Sequence, residues 1–227
     1  MILCIETATP VCSVALCHNG KVLDKQESTD DKSHATNLTV FIENILGRSS
    51  QVAENLDAVA VSKGPGSYTG LRIGVSAAKG IAYGAGIPLI AVPTTWLMYH
   101  GAKQAGDYDY YCPMIDARRM EVYTAVYDSK GREIRSVSAE VITENSFADI
   151  LEKGKTLFFG NGAAKCSELI SHPAAVFDES FRISSEYMCG PAQEAFDKKL
   201  FQDVAYFEPY YLKDFIATIP RKNIPGR

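Results

Sequence analysis

Short runs of apolar and β-prone residues open the chain: Ile2–Ile5, Ser13–Cys17 and Val22–Gln26, separated by Thr9-Pro10 and Asn19-Gly20. Runs of this length bounded by such turn-formers predict a three-strand meander. About 109 residues later the pattern returns as Tyr111–Ile115, Val122–Tyr127 and Glu133–Val137, with Ser129-Lys130-Gly131 as its second turn. The similar spacing of the two trios predicts two related halves. The polar, glycine-containing stretch Gly101–Tyr110 is the expected junction, which gives an N-terminal half over 1–103 and a C-terminal half over 104–227.

After the first meander the period changes. Leu38, Phe41, Ile42, Ile45 and Leu46 fall at helical spacing with Gly47 as a stop, so a helix is expected over Ala35–Leu46. A buried strand at Ala58–Ser62, a Gly64-Pro65-Gly66 loop, a helix from Thr69 to Ala85 closed by Gly86 and Pro88, and a strand at Leu89–Val92 then read as a parallel crossover. In the second half, helices are expected at Ser146–Leu151 and Ala163–Ile170 around a strand at Thr156–Phe159. A helical tract containing Pro191 should follow between Ser184 and Phe201. Both halves combine meander and crossover, an α/β arrangement of mixed sheets flanked by helices.

The 227 residues are 46% hydrophobic and carry a net charge of −4, enough apolar material for a large core and the wrong sign for unaided binding of duplex nucleic acid. Met1 to Pro10 lack the cations and cleavage site of a secretory leader, and no apolar run has the length of a membrane span, so a cytoplasmic, membrane-free protein is expected. The six cysteines include no Cys-x-x-Cys and sit among apolar neighbours, as small core residues in a reducing compartment do. Gathering Cys4, Cys12 and Cys17 in one hairpin would suit a metal, but their spacing matches no familiar zinc motif.

Charge is unevenly spread. No Asp or Glu occurs from Ala58 to Gly106, whereas Lys63, Arg72, Lys79 and Lys103 do, so this span favours an anion or an acidic partner. Within it, Gly64, Pro65, Gly66 and Ser67 form a glycine-rich turn between a strand and a helix N-terminus, a candidate anion loop. It is neither a Walker loop nor a dinucleotide fingerprint. The helix that follows holds Gly74, Gly80 and Gly84 in its interior at a cost of about 1 kcal/mol each. Gly70, Gly74, Ala78 and Ala82 recur every four residues and predict a smooth stripe for close packing, either within the monomer or against a second chain. The four histidines form no His-x-x-x-His and there is no Gly-x-Ser-x-Gly, so neither a helix-borne metal pair nor a serine hydrolase is indicated. Asp116, Arg118, Arg119 and Glu121 read as a salt-bridged hairpin end.

Four segments together resemble the TsaB (YeaZ) family: Met1-Ile-Leu-Cys-Ile-Glu-Thr-Ala-Thr9, Lys63-Gly-Pro-Gly-Ser-Tyr-Thr-Gly-Leu-Arg-Ile-Gly74, Asp116-Ala-Arg-Arg-Met-Glu-Val-Tyr123 and Tyr206-Phe-Glu-Pro-Tyr-Tyr-Leu-Lys213. The resemblance implies an actin-like ATPase (sugar kinase, Hsp70, ribonuclease H-like) fold of two halves. It further implies a dimerisation subunit of the bacterial complex that makes threonylcarbamoyladenosine (t6A) in tRNA. Its partners there would be a catalytic TsaD-like subunit and a TsaE-like ATPase, with tRNA engaged through the complex and a homodimer formed when alone. Where the catalytic relative carries paired histidines for a metal, this chain reads Val92-Pro-Thr-Thr-Trp-Leu-Met-Tyr-His100, leaving His100 unpaired. No catalytic residue and no metal site of its own are therefore expected, and the older glycoprotease label finds no nucleophile. The resemblance also implies an interface on the first two helices, here Leu38, Phe41, Ile42, Gly70, Ile73, Gly74, Ala77, Ala78 and Ile81. No cofactor of its own is expected, with ATP or ADP at the junction with partner subunits. The competing reading is a nucleotide-binding phosphotransferase or ATPase whose inter-half cleft is lined by Thr7, the Gly64–Gly66 loop and Asp116. The cationic tail Pro220–Arg227 is expected to be mobile, with tRNA phosphate or a partner as its alternative contact.

Overall fold

In the computed structural model, which describes residues 1–29 and 34–213, strand residues alternate between two separate cores. On β1 (Ile2–Glu6), Ile2 and Cys4 point to a central core and Leu3 and Ile5 to an outer one, as a period of two requires. β1, β2 (Cys12–His18) and β3 (Lys21–Ser28) form the expected antiparallel meander. β4 (Ala58–Gly64) pairs parallel with β1, and β5 (Leu89–Pro93) parallel with β4, giving the order β3-β2-β1-β4-β5. The second half repeats this with β6 (Tyr110–Asp116), β7 (Glu121–Asp128), β8 (Glu133–Val141), β9 (Thr156–Phe159) and β10 (Ala175–Asp178) in the order β10-β9-β6-β7-β8.

Five layers result. α1 (His34–Arg48) and α2 (Tyr68–Ala85) cover the outer face of the first sheet, with Leu38, Ile45, Val75, Ala78 and Ala82 in its core. α4 (Ala148–Leu151) and α5 (Ala163–Ser167) cover the outer face of the second. Between the sheets lie α3 (Thr94–Ala102) and α6 (Cys189–Asp197), and the central core joins Ile90 and Val92 of one half to Tyr111 and Phe159 of the other.

Three features depart from expectation. α3 was not predicted, because Leu97, Met98, Tyr99 and Ala102 meet apolar neighbours on both sheets and leave no polar face to set a period. β10 is a four-residue, half-buried strand, too short to stand out. The C-terminal tract also leaves its own half. Ser185 N donates to Ser13 Oγ (3.0 Å), Gln202 N to the Leu89 carbonyl (2.8 Å) and Tyr210 N to the Lys63 carbonyl (2.7 Å), so the tract from Ser184 packs mainly on the first half, and Lys213 at its end pairs back to Glu121 of the second. Cys17 of β2 and Cys189 of α6 are joined by a disulfide that fastens this return, which corrects the expectation of six reduced core cysteines at these two positions. The other four cysteines are buried thiols, as expected of core residues. The tail Pro220–Arg227 lies outside the described residues.

Candidate functional site

The glycine-rich turn is clamped onto the β1–β2 connection. Ser67 N donates to the Ala8 carbonyl (2.7 Å), and Thr7, fully buried, donates its hydroxyl to the Gly70 carbonyl (2.8 Å). Ser67 Oγ caps α2 by accepting from Gly70 N (3.2 Å). A side chain on Gly66 would place its Cβ 2.3 Å from the Ala8 carbonyl oxygen, which is why glycine stands there. The Ser67 and Gly70 amides that an anion would need are thus satisfied within the chain. Asp116, at the end of β6, is paired with Lys165, whose ammonium also donates to the carbonyls of Arg119 (2.8 Å) and Glu121 (2.6 Å). A cavity of about 430 Å³ does open between the halves, lined by Gly64 and Pro65 but not by Thr7, Gly66, Ser67 or Asp116. The cleft expected of the phosphotransferase reading is therefore not assembled from those residues.

The small-residue stripe is where expectation and geometry diverge most. Gly70, Gly74, Ala78 and Ala82 are buried against their own sheet, and so is Leu38 on α1, with Phe41 and Ile42 nearly so. A Cβ on Gly70 would lie 2.1 Å from the Thr7 carbonyl oxygen, and one on Gly74 2.2 Å from Thr7 Oγ1. These glycines serve close packing inside the monomer, and Leu38, Phe41, Ile42 and Ala78 are buried with them, so all six are withdrawn as surface contacts. Ile73, Ala77 and Ile81, the remaining interface candidates, occupy a half-buried flank of the same helix. The opposite flank is taken by the C-terminal return, through Lys79 Nζ to the Phe207 carbonyl (2.9 Å) and Tyr68 against Tyr211 at 4.8 Å between centroids. Outward between the two flanks lie Ser76, Gly80, Tyr83 and Gly84, all exposed. A Cβ on Gly80 or Gly84 would meet nothing within 4 Å. Nearby chemistry adds to the apolar character of this side of the molecule, since Val40 on α1 is 47% and Tyr83 83% exposed.

Other reactive groups are structural in their surroundings. His100 packs edge-on to Trp96 at 4.6 Å between centroids, and burial holds its pKa below the usual histidine value. The position one turn before it is this tryptophan, which offers no lone pair to a metal, so the donor set of α3 does not suit one. Glu6, which the sequence reading passed over, is completely buried. Its Oε1 accepts from Ala8 N (2.5 Å) while Oε2 has no hydrogen-bond partner among the described residues, and burial raises its pKa to about 7 against that hydrogen bond. The only signal for it was a carboxylate inside an apolar strand. Cys4, Cys17 and Cys189 bring their sulfurs within 4.8 Å of one another, but two of the three are spent in the disulfide.

Comparison with known proteins agrees with the architecture. The family model described as "TsaD: tRNA N6-adenosine threonylcarbamoyltransferase" matches residues 21–220. The chain is 31% identical over 234 residues to the tRNA threonylcarbamoyladenosine biosynthesis protein TsaB of Escherichia coli (strain K12), covering 100% of this chain and 99% of that one. Among solved structures, a Pseudomonas aeruginosa protein with similarity to peptidase YEAZ superposes with a TM-score of 0.83 at 25% identity, covering 93% of this chain and 99% of that one. The activator of 2-hydroxyisocaproyl-CoA dehydratase from Clostridium difficile, with a TM-score of 0.50 at 9% identity over 87% of this chain and 94% of that one, shares the fold alone. Two repeated meander-plus-crossover halves, the clamp of the glycine loop on the first strand connection, and full-length similarity to these proteins lead to one assignment: the chain belongs to the TsaB (YeaZ) family and has the actin-like ATPase fold.

Proposed function

We propose that this chain is a non-catalytic subunit in t6A biosynthesis that docks onto a TsaD-like transferase through the outer face of α2 and the neighbouring surface of α1. Family membership supports the pathway. The observation that carries the docking surface is the pair Gly80 and Gly84: each weakens the helix by about 1 kcal/mol, and unlike Gly70 and Gly74 neither has, among the described residues, a neighbour that excludes a side chain. A backbone brought close from outside is a reason for them to be bare. Ile73, Ala77 and Ile81 supply the apolar flank that such a partner would cover, and the acid-free span that includes α2 suits a partner bearing carboxylates. In this reading a TsaE-like ATPase joins the pair, ATP or ADP acts at the junction of subunits, tRNA is met through the assembly in the cytoplasm, and the isolated chain buries the same face in a homodimer.

The test is size-exclusion chromatography with the transferase of the same organism. Wild type is expected to co-elute with it. Ile81→Glu and Gly80→Phe should each abolish co-elution and render the isolated chain monomeric, while keeping the wild-type circular dichroism spectrum and a cooperative melt. Retained co-elution by both variants would remove this face from the assembly.

A further inference from the structure

The cavity of about 430 Å³ between the halves lies apart from the outer face of α2, and its walls do not depend on the reading above. Lys63 and Pro65 come from the end of β4, Trp96 from α3, Tyr127 and Glu133 from β7 and β8, and Tyr210 from the C-terminal return. It is thus a site that exists only when all three parts of the chain are in place. Its volume is within the range of small-molecule sites, which are mostly apolar with a few placed polar groups.

The polar groups are of two kinds. The Tyr127 hydroxyl is spent on Thr95 Oγ1 (2.9 Å), so it contributes an apolar ring face. Lys63 and Glu133 differ: among the described residues neither forms an ion pair, with each other or with any other group, and Glu133 accepts only the Ser136 hydroxyl (2.8 Å). Lys63, half-buried, thus stands on one wall and Glu133, exposed, on the opposite one, each without an ionic partner among the described residues. The wall around them is aromatic. Trp96 is stacked on Tyr99 at 5.1 Å between centroids and tilted against Tyr127 at 5.4 Å, and Gly131 has no side chain because its Cβ would come 3.0 Å from the indole edge.

We infer that this cavity is a binding site for a small zwitterion bearing an aromatic ring, of the size of an aromatic amino acid or a dipeptide. Its carboxylate meets Lys63, its ammonium meets Glu133, and its ring packs among Trp96, Tyr127 and Tyr210. The geometry favours both charges at once, because a ligand with one of them forgoes one of the two ionic contacts across the mouth of the cavity. A ligand held this way bridges the two halves.

Trp96 is the single tryptophan of the chain, so its fluorescence reports on this cavity alone. The probes are L-phenylalanine, 3-phenylpropanoate, which lacks the ammonium, and phenethylamine, which lacks the carboxylate. Titration of the full chain with L-phenylalanine should change the indole emission saturably, with each singly charged analogue binding about three- to fivefold more weakly. Lys63→Met should erase the preference for L-phenylalanine over phenethylamine and leave the preference over 3-phenylpropanoate. Glu133→Gln should do the reverse. The inference is overturned by the absence of a saturable change up to about 10 mM L-phenylalanine, a concentration that would reveal even a binding free energy near −3 kcal/mol. It is equally overturned by indistinguishable affinities for the three probes in the wild-type chain, or by an unchanged ranking in both variants.

Discussion

Two alanine substitutions on one helix should move stability in opposite directions. Gly70→Ala and Gly80→Ala make the same chemical change within α2, and each gains roughly 1 kcal/mol of helix propensity. At Gly80 nothing among the described residues lies within 4 Å of the new methyl group, so in the monomer that gain is the whole effect. At Gly70 the methyl carbon would stand 2.1 Å from the Thr7 carbonyl oxygen. That carbonyl belongs to backbone held by its neighbours: Ser67 N is bonded to the Ala8 carbonyl at 2.7 Å and Thr7 Oγ1 to the Gly70 carbonyl at 2.8 Å. Ordinary contact requires a displacement of more than 1 Å between α2 and the β1–β2 connection. Overpacking of this kind costs about 1–3 kcal/mol or more, and breaking the buried Thr7 bond adds about 1–2 kcal/mol. Gly70→Ala should therefore be destabilising by about 1–4 kcal/mol net, and Gly80→Ala stabilising by about 1 kcal/mol. In urea, with m near 2 kcal/mol/M, the two midpoints should be separated by about 1–2.5 M. Equal midpoints would refute the account of α2 as a helix with one face sealed and the other open. The same geometry says that Gly74→Leu or Ala78→Glu would unfold the chain before it could report on docking.

Two further outcomes follow from buried groups. Burial raises the Glu6 pKa from its ordinary 4.5 to about 7, so the folded state holds a proton that the unfolded chain releases. The associated stability is complete below pH 4.5, declines as pH rises, and is gone above about pH 7, a loss of roughly 3 kcal/mol. Glu6→Gln should flatten this slope and melt higher than wild type at pH 8, and an unchanged slope in pH-dependent denaturation would count against it. Thiol titration of the unfolded, unreduced chain should find four cysteines, rising to six after reduction, with Cys17 and Cys189 as the pair released. Because the linked residues are 172 apart in sequence, reduction should cost up to about 5 kcal/mol if loop entropy dominates, measured as a lower melting temperature.

Periodicity was sufficient wherever an element has one face in a core and one outside it. The meander strands, α1 and α2 stand within a few residues of their expected bounds, because Leu38, Phe41, Ile42 and Ile45 repeat at the helical period against a polar remainder. α3 has no such contrast, since its surroundings are apolar on both sides, and a uniform environment writes no pattern into a sequence. The stripe on α2 was legible as a site of close approach, but spacing alone cannot say which neighbour approaches. Gly70 and Gly74 answer to Thr7, 63 and 67 positions earlier in the chain, and only folding makes that relation visible. The same holds for the cavity walls, where Lys63, Trp96, Glu133 and Tyr210 share no local motif.

The return of residues 184–213 to the first sheet sets an order of events. A polypeptide emerging from its N-terminus can pair β1 through β5 early, yet the carbonyl of Leu89 and the surface beneath α6 wait for Gln202 and Cys189–Asp197, which are made after the whole second sheet. The earliest half thus reaches its finished form last, and severing the chain at the junction near Gly101 would yield two fragments that each lack part of a wall. The disulfide closes that circuit, tying the seventeenth residue to the one hundred and eighty-ninth, so the halves are clasped by the strand of chain that leaves the second rather than by the linker that joins them.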